Sequence, residues 1–271
     1  SNMFWASQFN GDISGWDVSR VTKMEQTFAM WFGSQFTGTG LHNLTNWDVS
    51  RVTNMRQIFW TNNQFNGDLS RWDVTKVKDF YNGLSGNGFN ADISGWSMSS
   101  VTNMDSMFAG GESACSGIIN LRIPSFGERS DWPELESEKL ILMNRLFYRT
   151  KQFNADISQW DTSLVGGMRL MFGDATAFNI DISGWDVSRV TTMEEMFYNT
   201  EGFGADLSNW DVSSAYGANM FKLAGGKTSG WVYVNPHADN ISPSQSKALL
   251  CGEHWAKIDG YSFAVDVGTS N

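Results

Sequence analysis

The chain has 271 residues, 41% of them hydrophobic, and a net charge of -10 from 19 Lys and Arg against 29 Asp and Glu. It is long enough to bury a continuous core, while its acidity makes a nucleic-acid phosphate surface or an anionic membrane a poor partner and leaves cations, basic proteins and neutral glycans. Two cysteines, Cys115 and Cys251, are too few for a disulfide scaffold and lack zinc-ligand spacing, although they can pair across a fold. No stretch approaches a membrane span, so direct membrane insertion is not expected.

In chain order, Met3-Phe4 matches the end of a phrase that recurs throughout. The natural protein is therefore expected to extend further toward its N-terminus, with a leader or anchor outside this sequence. The fullest statement of the phrase runs from Phe178 to Phe197, and 9–28 and 203–221 say nearly the same. Trp16, Trp47, Trp72, Trp96, Trp160, Trp185 and Trp210 mark the copies, separated by 31, 25 and 24 residues, then a long gap, then 25 and 25. The gap holds a degenerate fifth copy. Its tail is Met143-Asn144-Arg145-Leu146-Phe147, its strand is 121–123, and an acidic insert lies near 127–139. Copy two is lengthened by a loop at 37–40. A fixed period of this size means one small unit stacked on itself, since a single copy cannot cover its own Trp and Phe.

Within a copy, Trp185 and Val187 alternate with Asp186, the period of a half-buried strand. Thr191 then reads as a helix N-cap, with Glu194 completing a capping box, and Thr22 with Glu25 repeats the pair. Met193, Met196 and Phe197 follow at helical spacing. The expected fold is an α/β solenoid: a right-handed leucine-rich-repeat-like coil, with a parallel sheet on one face and short helices on the other. About eight copies span 3–221. A segment at 222–271, of different composition, is expected to cap the open end, with an edge strand at 231–234 and a short helix at 244–251.

The phrase F-N-x-D-[IL]-S-x-W-D-V-S-x-V-T-x-M-x-x-M-F resembles the BspA-like leucine-rich repeats, most of all the repeat of mycoplasma surface lipoproteins, itself a domain of unknown function. The likeness covers roughly 4–221. It implies an extracellular or surface-displayed protein used in adhesion or recognition, and it supplies no catalytic residues. The insert near 127–139, the missing lipobox and the C-terminal segment depart from that pattern.

Asp17, Asp48, Asp73, Asp161, Asp186 and Asp211 form a column beside the inward Trp and Val positions, interrupted by Ser97. On neighbouring strands about 4.8 Å apart, such carboxylates repel one another. Either local hydrogen bonds from residues such as Ser188, with Arg20, Arg51, Lys76 and Arg189 nearby, offset that repulsion, or a bound cation such as calcium does. The same aspartates are the ligand-face candidates, flanked by Gly15, Arg71, Gln159 and Asn209, and they are weak metal candidates. The insert at 130–138 is a second candidate for partner binding. A further row, Asp12, Asp68, Asp92, Asp156, Asp181 and Asp206, follows Phe-Asn in a turn and reads as structural. The sequons at Asn43 and Asn240 permit a secreted protein. His42, His237 and His254 are scattered, and no nucleophile, phosphate loop or dinucleotide fingerprint appears. The resulting expectation is a non-catalytic module without a cofactor, binding a protein or glycan on a cell surface. Cation-dependent assembly comes next, and a hydrolase-like site of Glu253, His254 and Asp259 in the C-terminal segment last.

Overall fold

The computed structural model describes residues 3–4, 11–30, 43–62, 65–86, 89, 91–110, 140–205, 207, 209–217, 219–222 and 224. The strand at 121–123, the insert near 127–139, the loop at 37–40, both cysteines, the three histidines and the segment from 225 onward lie outside the described residues.

Successive copies lie side by side and pair in parallel. Single-residue bridges link Lys23 to Asn54, Asn54 to Asp79, Asp79 to Asn103 and Asn103 to Leu142, and further on Gly167 to Thr192 and Thr192 to Tyr216. Between them, β1 (Ile141–Leu142) pairs with β2 (Val165–Gly167) in a two-stranded parallel sheet. The fourth copy therefore neighbours the tail of the fifth directly. Residues 111–139 leave the stack and return without breaking its order.

The pairing position differs from the one expected. The residues that pair are those just before the first Met of each copy, as Thr192 is before Met193, whereas the Trp185–Val187 stretch forms turns. Trp185 N–H donates to the Ile182 carbonyl at 3.1 Å and Val190 N–H to the Val187 carbonyl at 3.0 Å. Nor is any helix present among the described residues. Thr191 does not cap one: its hydroxyl and its N–H both donate to the Gly166 carbonyl of the preceding copy, at 3.0 and 2.9 Å.

The segment expected to be helical is held instead by bonds to the next copy. In the sixth copy the N–H groups of Met168, Leu170, Phe172 and Asp174 donate to the carbonyls of Thr192, Glu194, Met196 and Tyr198, at 2.9, 2.9, 2.9 and 2.7 Å. Alternate residues thus donate, all toward the following copy. This requires left-handed backbone at a fixed place: Gln26, Gln57, Asn82, Ser106, Arg145, Leu170, Glu195 and Asn219 all have φ between 51° and 57°. A second such column holds Thr61, Gly86, Arg149, Asp174 and Asn199. Non-glycine residues adopt this conformation rarely, so the interlocking bonds of the stack must impose it.

Side chains pointing inward form continuous columns. Phe108, Phe147, Phe172, Phe197 and Phe221 stack with centroids 5.3–5.8 Å apart. Phe153, Phe178 and Phe203 make a parallel column, and Trp160 lies on Trp185 at 6.1 Å with rings 3° from parallel. Phe147 takes its place in the column, so the tail of the degenerate copy is intact where the core needs it. Each indole also ties two copies. Trp47, Trp72, Trp96, Trp185 and Trp210 donate from Nε1 to the carbonyls of Ile13, Leu44, Leu69, Ile157 and Ile182, at 2.8–3.2 Å. Buried aromatic area and a satisfied indole N–H together hold the junction. At Gly166 the junction is too close for any side chain, because an added Cβ would lie 2.6 Å from Leu140.

Candidate recognition surface

The two aspartate rows are exposed corners of each copy. In the first row, Asp17, Asp48, Asp73, Asp161, Asp186 and Asp211 each accept, at Oδ1, the N–H of the residue two positions on, at 3.0–3.2 Å. The hydroxyls of Ser19, Thr75 and Ser188 add bonds of 2.6–2.7 Å to Asp17, Asp73 and Asp186. In the second row, Asp12, Asp68, Asp92, Asp156 and Asp181 accept from the N–H of the serine two positions on, at 2.8–2.9 Å. Asp206 lies outside the described residues. Both rows are therefore Asx turns, with the carboxylate fixing its own loop.

The electrostatics follow the same local bonds. The hydroxyl and then the N–H of Ser19 and Ser50 hold the Asp17 and Asp48 carboxyls below their usual range. Among the influences on Asp48, repulsion from Asp17 in the neighbouring copy is the smallest. For Asp12, Asp68, Asp156 and Asp181 the serine N–H is the main lowering cause. Like charges in a column are thus tolerated because each has its own donors and faces water.

The structure brings Asp17, Asp48 and Asp73 onto adjacent copies, and Asp161, Asp186 and Asp211 onto another adjacent set, with Ser97 between. Gly15, Arg71, Gln159 and Asn209 are exposed beside them, and Arg71 Nη1 reaches Asn46 Oδ1 at 3.5 Å. Residues 130–138, Glu253, His254 and Asp259 fall outside the described residues. Among the described residues, no group of three His, Cys, Asp or Glu side chains is placed to hold a metal ion, and no helix is long and apolar enough to cross a membrane.

A third polar column lies along the bridges. Asn54, Asp79 and Asn103 accept from the N–H groups of Arg56, Tyr81 and Asp105, at 2.8, 2.8 and 3.0 Å. The fifth and sixth copies carry Leu142 and Gly167 at that position and cannot do so. There the acceptor comes from the preceding copy: Asp105 takes the Asn144 N–H at 2.8 Å, and Asn144 takes the Arg169 N–H at 2.9 Å. Burial raises the Asp105 carboxyl, opposed by the bonds from Asn144. Ion pairs occur on the same stretch, Arg169 with Glu194 at 2.6 Å and Arg56 with Asp79 at 3.8 Å. The described tyrosines, Tyr81, Tyr148, Tyr198 and Tyr216, also lie here. The signal for this surface was present in the sequence as positions that change from copy to copy, but the regular aspartates drew attention away from it.

A chain of stacked copies, cross-linked by parallel backbone bonds and by indoles, is a repeat protein. It belongs to the family described as mycoplasma protein of unknown function, DUF285, which matches residues 1–35, 30–126 and 120–230. No curated protein and no solved structure matches the chain.

Proposed function

We propose that this repeat protein is a non-catalytic interaction module, of the BspA-like leucine-rich-repeat kind, secreted or displayed on a cell surface. The stack would wind as a right-handed solenoid and present its acidic corners to a protein or glycan. One observation carries this reading: Asp17, Asp48, Asp73, Asp186 and Asp211 are exposed, in register, and already fixed by their own turns. A partner would meet an ordered array and would not bear the entropy of ordering it.

The test separates charge from turn. Asn keeps the Oδ1 acceptor and removes the charge, so changing all five aspartates to Asn should leave the melting temperature within a few degrees while lowering retention on intact host cells or on a basic protein ligand. Asp186→Ala alone should lower the melting temperature, because the Ser188 N–H loses its partner. If the five-fold Asn variant binds as the parent does, the acidic corners are not the recognition face. Melting with calcium and then with chelator tests the alternative in which a divalent cation bridges the column; an unchanged midpoint would sink it.

A further inference from the structure

We propose a second binding site away from the acidic corners: Tyr148 and Tyr198 form a platform on which a neutral, β-linked polysaccharide strand lies along the stack. The fold does not require aromatics at this position. It follows the core Phe of each copy and is filled by Ala29, Trp60, Ser85, Ala109, Tyr148, Gly173, Tyr198 and Lys222 in turn. Both tyrosines are half-buried, whereas the phenylalanines before them, Phe147 and Phe197, are wholly buried in the core column. The tyrosines are therefore surplus to packing and open to solvent on one side.

The arrangement between and beside them has the character of a sugar site. Gly173 separates the two copies. A Cβ there would lie 3.2 and 3.4 Å from the Tyr148 ring and 2.8 Å from Leu170, so the absent side chain lets that ring lie across toward the sixth copy. One residue further along each copy stand Arg149, Asp174 and Asn199. Arg149 Nε lies 3.8 Å from Asp174 Oδ2, and Asn199 Nδ2 donates to Asp174 Oδ1 at 2.8 Å. The result is a row of planar donors and acceptors whose one positive and one negative charge cancel.

Charge balance and spacing select the ligand. A phosphate or sulfate polymer needs excess cations, and a basic peptide needs excess carboxylate; this row offers neither. Pyranose rings offer apolar C–H faces to an aromatic ring and hydroxyls to planar polar groups, and tyrosine supplies a rigid amphipathic surface for such contact. Tyr148 and Tyr198 are two copies apart, roughly 10 Å at the usual parallel-strand spacing. In an extended β-linked hexose chain each residue advances by about one inter-strand spacing, and every second ring shows the same face. The two tyrosines would then carry alternate rings, with the Arg149–Asp174–Asn199 row along one edge.

Affinity electrophoresis of the full chain in gels containing hydroxyethylcellulose, xylan or glucomannan tests this, with dextran and heparin as controls. Retardation by at least one β-linked neutral polymer, and by neither control, is expected. Tyr148→Ala and Tyr198→Ala should each weaken retardation about tenfold, while Tyr198→Phe keeps it and Tyr81→Ala leaves it unchanged. Gly173→Ala, which displaces the Tyr148 ring, should weaken it too. Thermal melts verify folding, and where an Ala variant fails to fold, Leu at the same position serves in its place. Retardation by heparin alone, by no β-linked polymer, or unaltered in both tyrosine variants would overturn the proposal. None of these outcomes bears on the acidic corners, whose Asn variants are read separately.

Discussion

At the scale of single residues, the tryptophans carry two loads that can be separated. Trp185 is almost wholly buried, lies on Trp160, and donates from Nε1 to the Ile157 carbonyl at 3.0 Å. Trp185→Ala removes the ring and leaves that carbonyl without a donor, so a loss of about 3–5 kcal/mol is expected. Trp185→Phe keeps most of the apolar area but still orphans the carbonyl, for which a loss of about 1–3 kcal/mol is expected. Urea unfolding of both variants measures the difference. Equal losses would mean that the hydrogen bond between copies contributes nothing. Trp16 makes a useful contrast: it is 44% exposed, and Trp16→Phe should change stability far less.

At the scale of the element, the turn after each first Met decides what kind of repeat this is. A helix and the observed structure make opposite demands at Arg145, an exposed residue with φ 55°. In a helix interior, Ala is better than Gly by about 1 kcal/mol. In left-handed backbone the order reverses, because a Cβ costs roughly 1–2 kcal/mol there and Gly avoids that cost. Arg145→Gly is therefore expected to be more stable than Arg145→Ala, by about 1 kcal/mol. The opposite order in paired denaturation curves would restore the helix. The same position shows why the local fold was only partly legible in the sequence. The inward role of Trp185, Met193, Met196 and Phe197 follows from their recurrence, and so does the place of Phe147 in a damaged copy. Thr191 with Glu194 looks like a capping box, and Met193, Met196 and Phe197 have helical spacing. A turn with one left-handed residue also returns side chains inward at intervals of three and four. What separates the two is whether N–H groups find carbonyls in their own copy or in the next, and that is not local information. The acidic corners were easier to read, since an Asp two residues before a Ser carries its Asx turn within the sequence itself. The Asp105 and Asn144 acceptors were not, because they serve a neighbouring copy across residues 111–139.

At the scale of the whole molecule, the aspartate rows give stability a sign with respect to pH. Asp12, Asp17, Asp48, Asp68, Asp156 and Asp181 are held below the ordinary value of 3.8 by their serine donors. A depressed carboxyl stabilises the folded state fully above its unfolded value, and that contribution is lost as the pH falls through the folded value. Asp105 runs the other way. Burial raises it above 3.8, so its favourable contribution is complete below that value and disappears as the pH rises through its folded value. Melting midpoints should accordingly stay level from neutrality to mild acid, with a small gain from Asp105, and fall once the pH drops below 3.8. The acid fall should be shallow for each group, because the corners are exposed and screened by solvent, and it should be visible only because the corner recurs in every copy. Asp105→Asn should remove the mild-acid gain and leave the acid fall untouched, since the two arise from different parts of the copy. A series of melts from pH 7 to pH 2 on both proteins checks this. A midpoint that climbs steadily through pH 3 would mean that repulsion along the columns, and not the hydrogen bonds at each corner, governs how these carboxylates couple to the fold.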